Sequence, residues 1–95
     1  MCAIFGILGH EEAAHITYLG LHALQHRGQE GSGIVSSNGE TPCVHRRKGL
    51  VADIFTNSAL SKLKGPNAIG HNRYSTTGGN TVGNLQPVVV KTALG

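Results

Sequence analysis

A cysteine stands at position two, and the apolar run Ala3-Ile4-Phe5-Gly6-Ile7-Leu8-Gly9 follows it. Removal of Met1 would make Cys2 the N-terminal residue, so that one residue carries both a thiol and an α-amine. A thiol titrates at about 8.5 and an α-amine at about 7.7–8.0, so both change state near neutral pH. A nucleophile with its own adjacent base is the minimum equipment for acyl transfer. A second-position cysteine on its own is thin evidence, and two further segments add to it. One is Leu24-Gln25-His26-Arg27-Gly28-Gln29-Glu30-Gly31-Ser32-Gly33. The other is Gly70-His71-Asn72-Arg73-Tyr74-Ser75-Thr76-Thr77-Gly78, followed by Asn84-Leu85-Gln86-Pro87.

Arg73 is the residue there best suited to a small anionic ligand. A guanidinium offers a planar, forked donor that meets a carboxylate with two parallel hydrogen bonds, which an ammonium cannot do. It is expected to follow a strand and precede a glycine-rich loop, where it could reach a ligand while the loop closes. A surface salt bridge is the plainer alternative. Arg27-Gly28 has an equally plain alternative, the end of a helix with its carbonyls capped. His26 and His71 read as structural, and Cys43 as a core or strand cysteine. Six histidines and two cysteines raise the question of metal, but neither C-x-x-C nor H-E-x-x-H spacing occurs, so no metal is expected.

These residues need elements to position them. Ninety-five residues make one small domain or a piece of a larger one, with a modest core. Residues 2–8 read as a short buried strand closed by Gly9. Glu11 and Glu12 suit a helix N-terminus. Ala14, Tyr18, Leu21 and Leu24 give a stripe that predicts a helix over 11–26, ending near Gly28. A second strand is expected from Ile34 to Ser37. Asn38-Gly39 signals a two-residue hairpin, with a return strand from Pro42 to Arg47. Short helical pieces follow over 51–55 and 58–64. Residues 68–72 read as a strand, 75–84 as a flexible surface loop, and 86–90 as the start of a further strand. The strands ask for a second layer that the sequence does not supply.

Composition narrows the partners. The net charge is +3, and the densest basic run, His45-Arg46-Arg47-Lys48, has no aromatic neighbours to stack on bases. It reads as a solvated loop or strand end, so no nucleic-acid partner is expected. No apolar run approaches the roughly 18 residues of a membrane span, and no signal-peptide pattern occurs. Two cysteines are no disulfide framework, so a reduced, cytoplasmic location is expected.

Taken together, the three segments resemble the class II, N-terminal-nucleophile glutamine amidotransferases over essentially the whole chain. The phrase Leu24 to Gly33 is most similar to the branch that carries a phosphoribosyltransferase domain. Other branches carry "EYRGYDS" with a tryptophan where this chain has Tyr74, or "RGPD". The resemblance implies that Cys2 attacks the side-chain amide of glutamine, with its own α-amine as base. It implies that Arg73 holds the α-carboxylate of glutamine, that Thr76 places a hydroxyl near the substrate, and that Arg27 packs beside the nucleophile as part of the substrate-binding set. Tyr74, Ser75, Thr77 and Gly78 then belong to a glutamine loop that orders when the second substrate binds. Ala3 departs from the glycine usual after the nucleophile.

The implied fold is α/β, a four-layer αββα sandwich of which residues 1–95 supply an N-terminal, incomplete glutaminase portion. The implied reaction frees ammonia from glutamine and uses it to displace pyrophosphate from phosphoribosylpyrophosphate. The product is 5-phosphoribosylamine, the first step of purine nucleotide synthesis. The family's oxyanion Asn-Gly pair, a later substrate-binding aspartate and the phosphoribosyltransferase domain lie beyond Gly95, so the chain alone is expected to be inactive. No cofactor is expected within these residues. Mg2+ belongs to the downstream domain, where an iron–sulfur cluster stays an open alternative, and the parent is expected to be a homo-oligomer. Two other readings remain: a different class II amidotransferase, and a non-catalytic truncated fragment.

Overall fold

Successive side chains of a strand point to opposite faces, and the sheet here is built from four strands. The computed structural model describes residues 2–25, 29–74 and 85–90, Gln29 through its backbone alone. The elements run β1 (Ala3–Ile7), α1 (Ala13–Leu24), β2 (Gln29–Ser37), β3 (Pro42–Lys48), α2 (Val51–Ile54), α3 (Asn57–Lys62) and β4 (Asn67–Tyr74). Every strand pairing is antiparallel, in the order β1-β4-β2-β3. The last strand in the chain therefore lies between the first and the second.

Register decides which side chains share a face. Ala3 pairs with Asn72, Phe5 with Gly70 and Ile7 with Ala68, while on the other side of β4 Ser32 pairs with Asn72, Ile34 with Gly70 and Ser36 with Ala68. That row set faces α1. A Cβ on Gly70 would come within 2.7 Å of both Thr17 and Leu21, so a residue without one lets α1 press onto β4. Leu21, Ile34, Val51, Ile54, Phe55, Leu63 and Ala68 form the core between this face and the helices. Burying side chains of this kind stabilises the fold by about 1.5–3 kcal/mol each for the larger ones.

The opposite face carries Ile4 and Gly6 on β1, Ile69, His71 and Arg73 on β4, Gly31, Gly33 and Val35 on β2, and Val44 and Arg46 on β3. Its apolar members are open. Ile4 is 73 % exposed and Ile69 50 % exposed. The sheet thus has one covered and one largely uncovered face among the described residues, which is one half of a layered α/β arrangement.

Several expectations change. The first strand is not buried but an edge strand, half-exposed because only its α1 face is covered. The helix is shorter, Ala13–Leu24, with Glu12 at its N-cap and Glu11 outside it. His10 accounts for this start, since its Nδ1 accepts the Glu12 N–H at 2.9 Å. Leu24 leaves the stripe at 42 % exposure, and Thr17 takes an apolar residue's place in the buried row. The β2–β3 connection is not a two-residue hairpin. Ser37 pairs with Pro42, leaving four residues, and Asn38 Oδ1 caps the turn by accepting from Glu40 N and Thr41 N. Gly39 alone takes positive φ, at +97°, so the two-residue turn that needs it at both centres does not form. The basic run is the end of β3, the strand-end alternative, with Arg47 and Lys48 exposed but Arg46 half-buried rather than solvated. Residues 86–90 form no strand, although β4 is longer than expected and contains Arg73.

Candidate active site

The β1–β4 ladder ends at the pair Ala3–Asn72. The residues that flank this pair, Cys2 and Arg73, stand at the same end of the two strands. Alternation puts both on the uncovered face, one row beyond Ile4 and His71. Cys2 is exposed and Arg73 half-exposed. Arg73 has Gly31 as its partner across β2, just past an irregularity between Gln29 and Gly31. A thiol and a guanidinium at the same end of neighbouring strands can engage the two ends of a small amino acid.

The other face of β4 holds that strand end in place. Asn72, fully buried, donates from Nδ2 to Leu21 O at 2.8 Å, and Ser32 Oγ donates to Asn72 Oδ1 at 2.8 Å. Tyr74 donates from its hydroxyl to Leu24 O, also at 2.8 Å. Leu21 and Leu24 are among the last carbonyls of α1, which lack helical donors of their own. Asn72 and Tyr74, on either side of Arg73, therefore fasten β4 to the helix while Arg73 points the other way. Gln25 continues the join, since its Oε1 accepts the Val51 N–H at 2.7 Å and caps α2.

The segment Leu85–Val88 lies on the uncovered face. Arg46 Nη1 donates to Pro87 O at 3.1 Å and approaches Leu85 O at 3.4 Å. Leu85 is fully buried beneath it. Between this segment and the sheet is a cavity of about 370 Å³ lined by Ile4, Ile69, Gly70, His71, Gln86, Pro87 and Val88. His71 is only 6 % exposed, and its Nδ1 finds no hydrogen-bond partner among the described residues.

Among the sequence-predicted residues, the structure brings Cys2, Arg73 and Tyr74 to one end of the sheet. Arg27, Gly28, His26, Ser75, Thr76, Thr77 and Gly78 lie outside the described residues, as does the rest of the expected loop over 75–84. Cys43 sits on β3, half-buried against the core, away from the uncovered face. Sequence reasoning passed over Asn72, Ser32 and Arg46. The alternation along β4 carried the signal for Asn72: a polar residue at a core-facing position between Gly70 and Tyr74 must satisfy its hydrogen bonds inside. Among the described residues no group of three or more His, Cys, Asp or Glu is placed to hold a metal ion, and no helix is long and apolar enough to cross a membrane.

Two histidines give a pH dependence. Burial is the main cause that lowers His71, with the Arg73 charge adding to it. Burial also lowers His45, opposed in part by its Nε2–H bond to Ile54 O and reinforced by Arg47 and Lys62. Both titrate below the ordinary 6.5 in the folded state. The unfolded chain therefore takes up protons first as pH falls. Stability from these groups is complete above 6.5 and lost as pH drops through the folded values. The thermal midpoint should fall on acidification from pH 8 to pH 5, and His71→Gln and His45→Gln should each flatten the slope. A midpoint that both variants leave with the wild-type slope would rule this out.

No protein-family model matches the chain. An amidophosphoribosyltransferase of Bacillus subtilis is 56% identical over 90 residues, which is 95% of this chain and 19% of the relative. An amidophosphoribosyltransferase of Methanocaldococcus jannaschii is 53% identical over 97 residues, 100% of this chain and 21% of the relative. The solved structure of the allosteric regulatory enzyme of purine biosynthesis superposes with a TM-score of 0.88 at 53% identity, covering 98% of this chain and 20% of that one. With Cys2 and Arg73 at one sheet end, this defines a class II glutamine amidotransferase portion with part of the N-terminal-nucleophile fold. Over its own residues the chain belongs to the amidophosphoribosyltransferase family, and it spans about a fifth of the length of the relatives it matches.

Proposed function

We propose that the chain is the N-terminal part of the glutamine-hydrolysing domain of an amidophosphoribosyltransferase. The observation that supports this reading is the β1–β4 register, which ends at Ala3–Asn72 and so leaves Cys2 and Arg73 at the same end of neighbouring strands. In this reading Arg73 grips the α-carboxylate of glutamine and turns its side-chain amide toward Cys2. The α-amine of Cys2 takes the thiol proton as Sγ attacks the amide carbon. The carbon–nitrogen bond then breaks, the proton leaves with ammonia, and a γ-glutamyl thioester remains. Water hydrolyses the thioester to glutamate and restores the thiol. Ammonia displaces pyrophosphate from phosphoribosylpyrophosphate in a downstream domain and gives 5-phosphoribosylamine. Thr76, Arg27 and the loop residues Ser75, Thr77 and Gly78 complete the substrate contacts. Tyr74, expected among them, instead ties the end of β4 to α1 through Leu24 O, and the α-amine role requires removal of Met1.

The test is stoichiometry in the full-length enzyme. Glutamine and phosphoribosylpyrophosphate should yield glutamate and pyrophosphate one for one, and each should depend on the other substrate. Glutamate release that ignores phosphoribosylpyrophosphate but responds to a different acceptor would favour another class II amidotransferase instead.

A further inference from the structure

The sequence phrase Gly31-Ser32-Gly33 and the later Leu85-Gln86-Pro87 stand more than fifty residues apart, and the reaction as described uses neither. The fold brings them into contact. Gly31 and Gly33 both project onto the uncovered face, with Ser32 between them turned inward to Asn72. A Cβ on Gly33 would run into the carbonyl of Gln86, and one on Gly31 would run into the Leu85 side chain and the Arg47 carbonyl. At Gly33, backbone therefore lies directly on the backbone of the segment, and at Gly31 the Leu85 side chain takes the space of a Cβ, both of which only glycine permits. On the neighbouring strand Arg46 reaches across Gly33, its register partner, and donates to Pro87 O at 3.1 Å. Leu85 and Pro87 are buried by this contact, while Gln86 and Val88 between and beyond them are exposed.

The seated segment forms one wall of the cavity whose opposite side is Ile4 and His71. Ile4 is two residues after Cys2 on the same face of β1, and His71 two residues before Arg73 on the same face of β4. The wall is therefore held one row away from the thiol and the guanidinium. We propose that Gly33 and Arg46 are positioning residues for glutamine, acting through the Leu85–Val88 segment that they seat against the sheet. The inference rests on the glutaminase reading above. Neither residue touches the reacting atoms. Gly33 fixes how closely the segment approaches, and Arg46 fixes where along the strand it sits, by bonding carbonyls that would otherwise be half-buried without donors.

The experiment uses the full-length enzyme with four variants: Gly33→Ala, Arg46→Met, Arg46→Lys and, as reference, Cys2→Ala. Methionine keeps the length of the arginine stem and removes the donors. Arg46→Met and Gly33→Ala should each raise the KM for glutamine roughly tenfold, the size of one lost charge-assisted bond. Both should hold kcat within about threefold and ammonia-dependent synthesis at the wild-type rate. Arg46→Lys, which keeps one donor, should recover part of the KM. A purely structural role would instead lower kcat, ammonia-dependent synthesis and the thermal midpoint together, and that result overturns the proposal. So does a wild-type KM in Arg46→Met. If Gly33→Ala fails to fold, the two Arg46 variants decide alone. Cys2→Ala separates the two levels. Retained glutamine-dependent synthesis there removes the glutaminase reading itself. Its loss, with unchanged KM in Arg46→Met, removes only the positioning role.

Discussion

Cys2→Ala in the full-length enzyme is expected to abolish glutamine-dependent synthesis of 5-phosphoribosylamine while ammonia-dependent synthesis continues at the wild-type rate. In the proposed reading the thiol serves only to release ammonia from glutamine, and the downstream domain takes ammonia from solution. Loss of an enzyme's nucleophile commonly costs roughly 10⁴-fold or more in kcat, so the glutamine-dependent rate should drop below ordinary detection. Cys43→Ala is the control. Cys43 is half-buried on β3 and faces the helices, so its loss should trim packing slightly and leave glutamine turnover near normal. If both nitrogen sources failed in a folded Cys2→Ala protein, the division into two half-reactions would be wrong.

Arg73→Lys carries the second large effect. The β4 strand end is pinned on one side by Asn72 to Leu21 O and on the other by Tyr74 to Leu24 O, so the residue between them has little freedom to readjust. A lysine ammonium there cannot reproduce two parallel hydrogen bonds to a carboxylate. A charge-assisted hydrogen bond contributes about 1.5–3 kcal/mol, so losing one predicts a penalty of roughly 10- to 150-fold in glutamine-dependent kcat/KM. The change should appear in KM, with ammonia-dependent synthesis unaffected. Arg73→Gln should be worse, because the charge is lost as well. A glutamine analogue without its α-carboxylate should bind wild type and Arg73→Lys alike. A wild-type KM in Arg73→Lys would remove Arg73 as the carboxylate anchor and make Arg27 the leading candidate.

Much of this was legible in the sequence because it rests on local signals. The short apolar run at 2–8, the segment at 68–72 and the stripe through Ala14, Tyr18 and Leu21 mark their elements directly, though not their burial or exact bounds. The placing of Cys2 and Arg73 at one end of neighbouring strands was not local. It depends on β4 inserting between β1 and β2, a long-range choice that no window of neighbouring residues encodes. The resemblance implied that both act on one substrate, and the register puts them at the same end of neighbouring strands. Asn38-Gly39 misled for the opposite reason. The dipeptide favours a tight turn, but Ser37 already pairs with Pro42, and the Asn38 side chain satisfies a wider one. Arg46 was read by its charged neighbours as solvated. Its partners are main-chain carbonyls some forty residues away, which carry no sequence signature. Gly31 and Gly33 likewise look like flexibility in a sequence and prove to be close contact in the fold.

The most direct test of the central claim is mass analysis of the full-length enzyme after treatment with a γ-diazoketone analogue of glutamine. The account predicts one adduct per chain, on an N-terminal peptide that begins at Cys2 with a free α-amine and no Met1. Arg73→Lys should slow that labelling, and excess glutamine should protect against it. An enzyme fully active with glutamine that retains Met1, or that takes the label at Cys43 and not at Cys2, would contradict it.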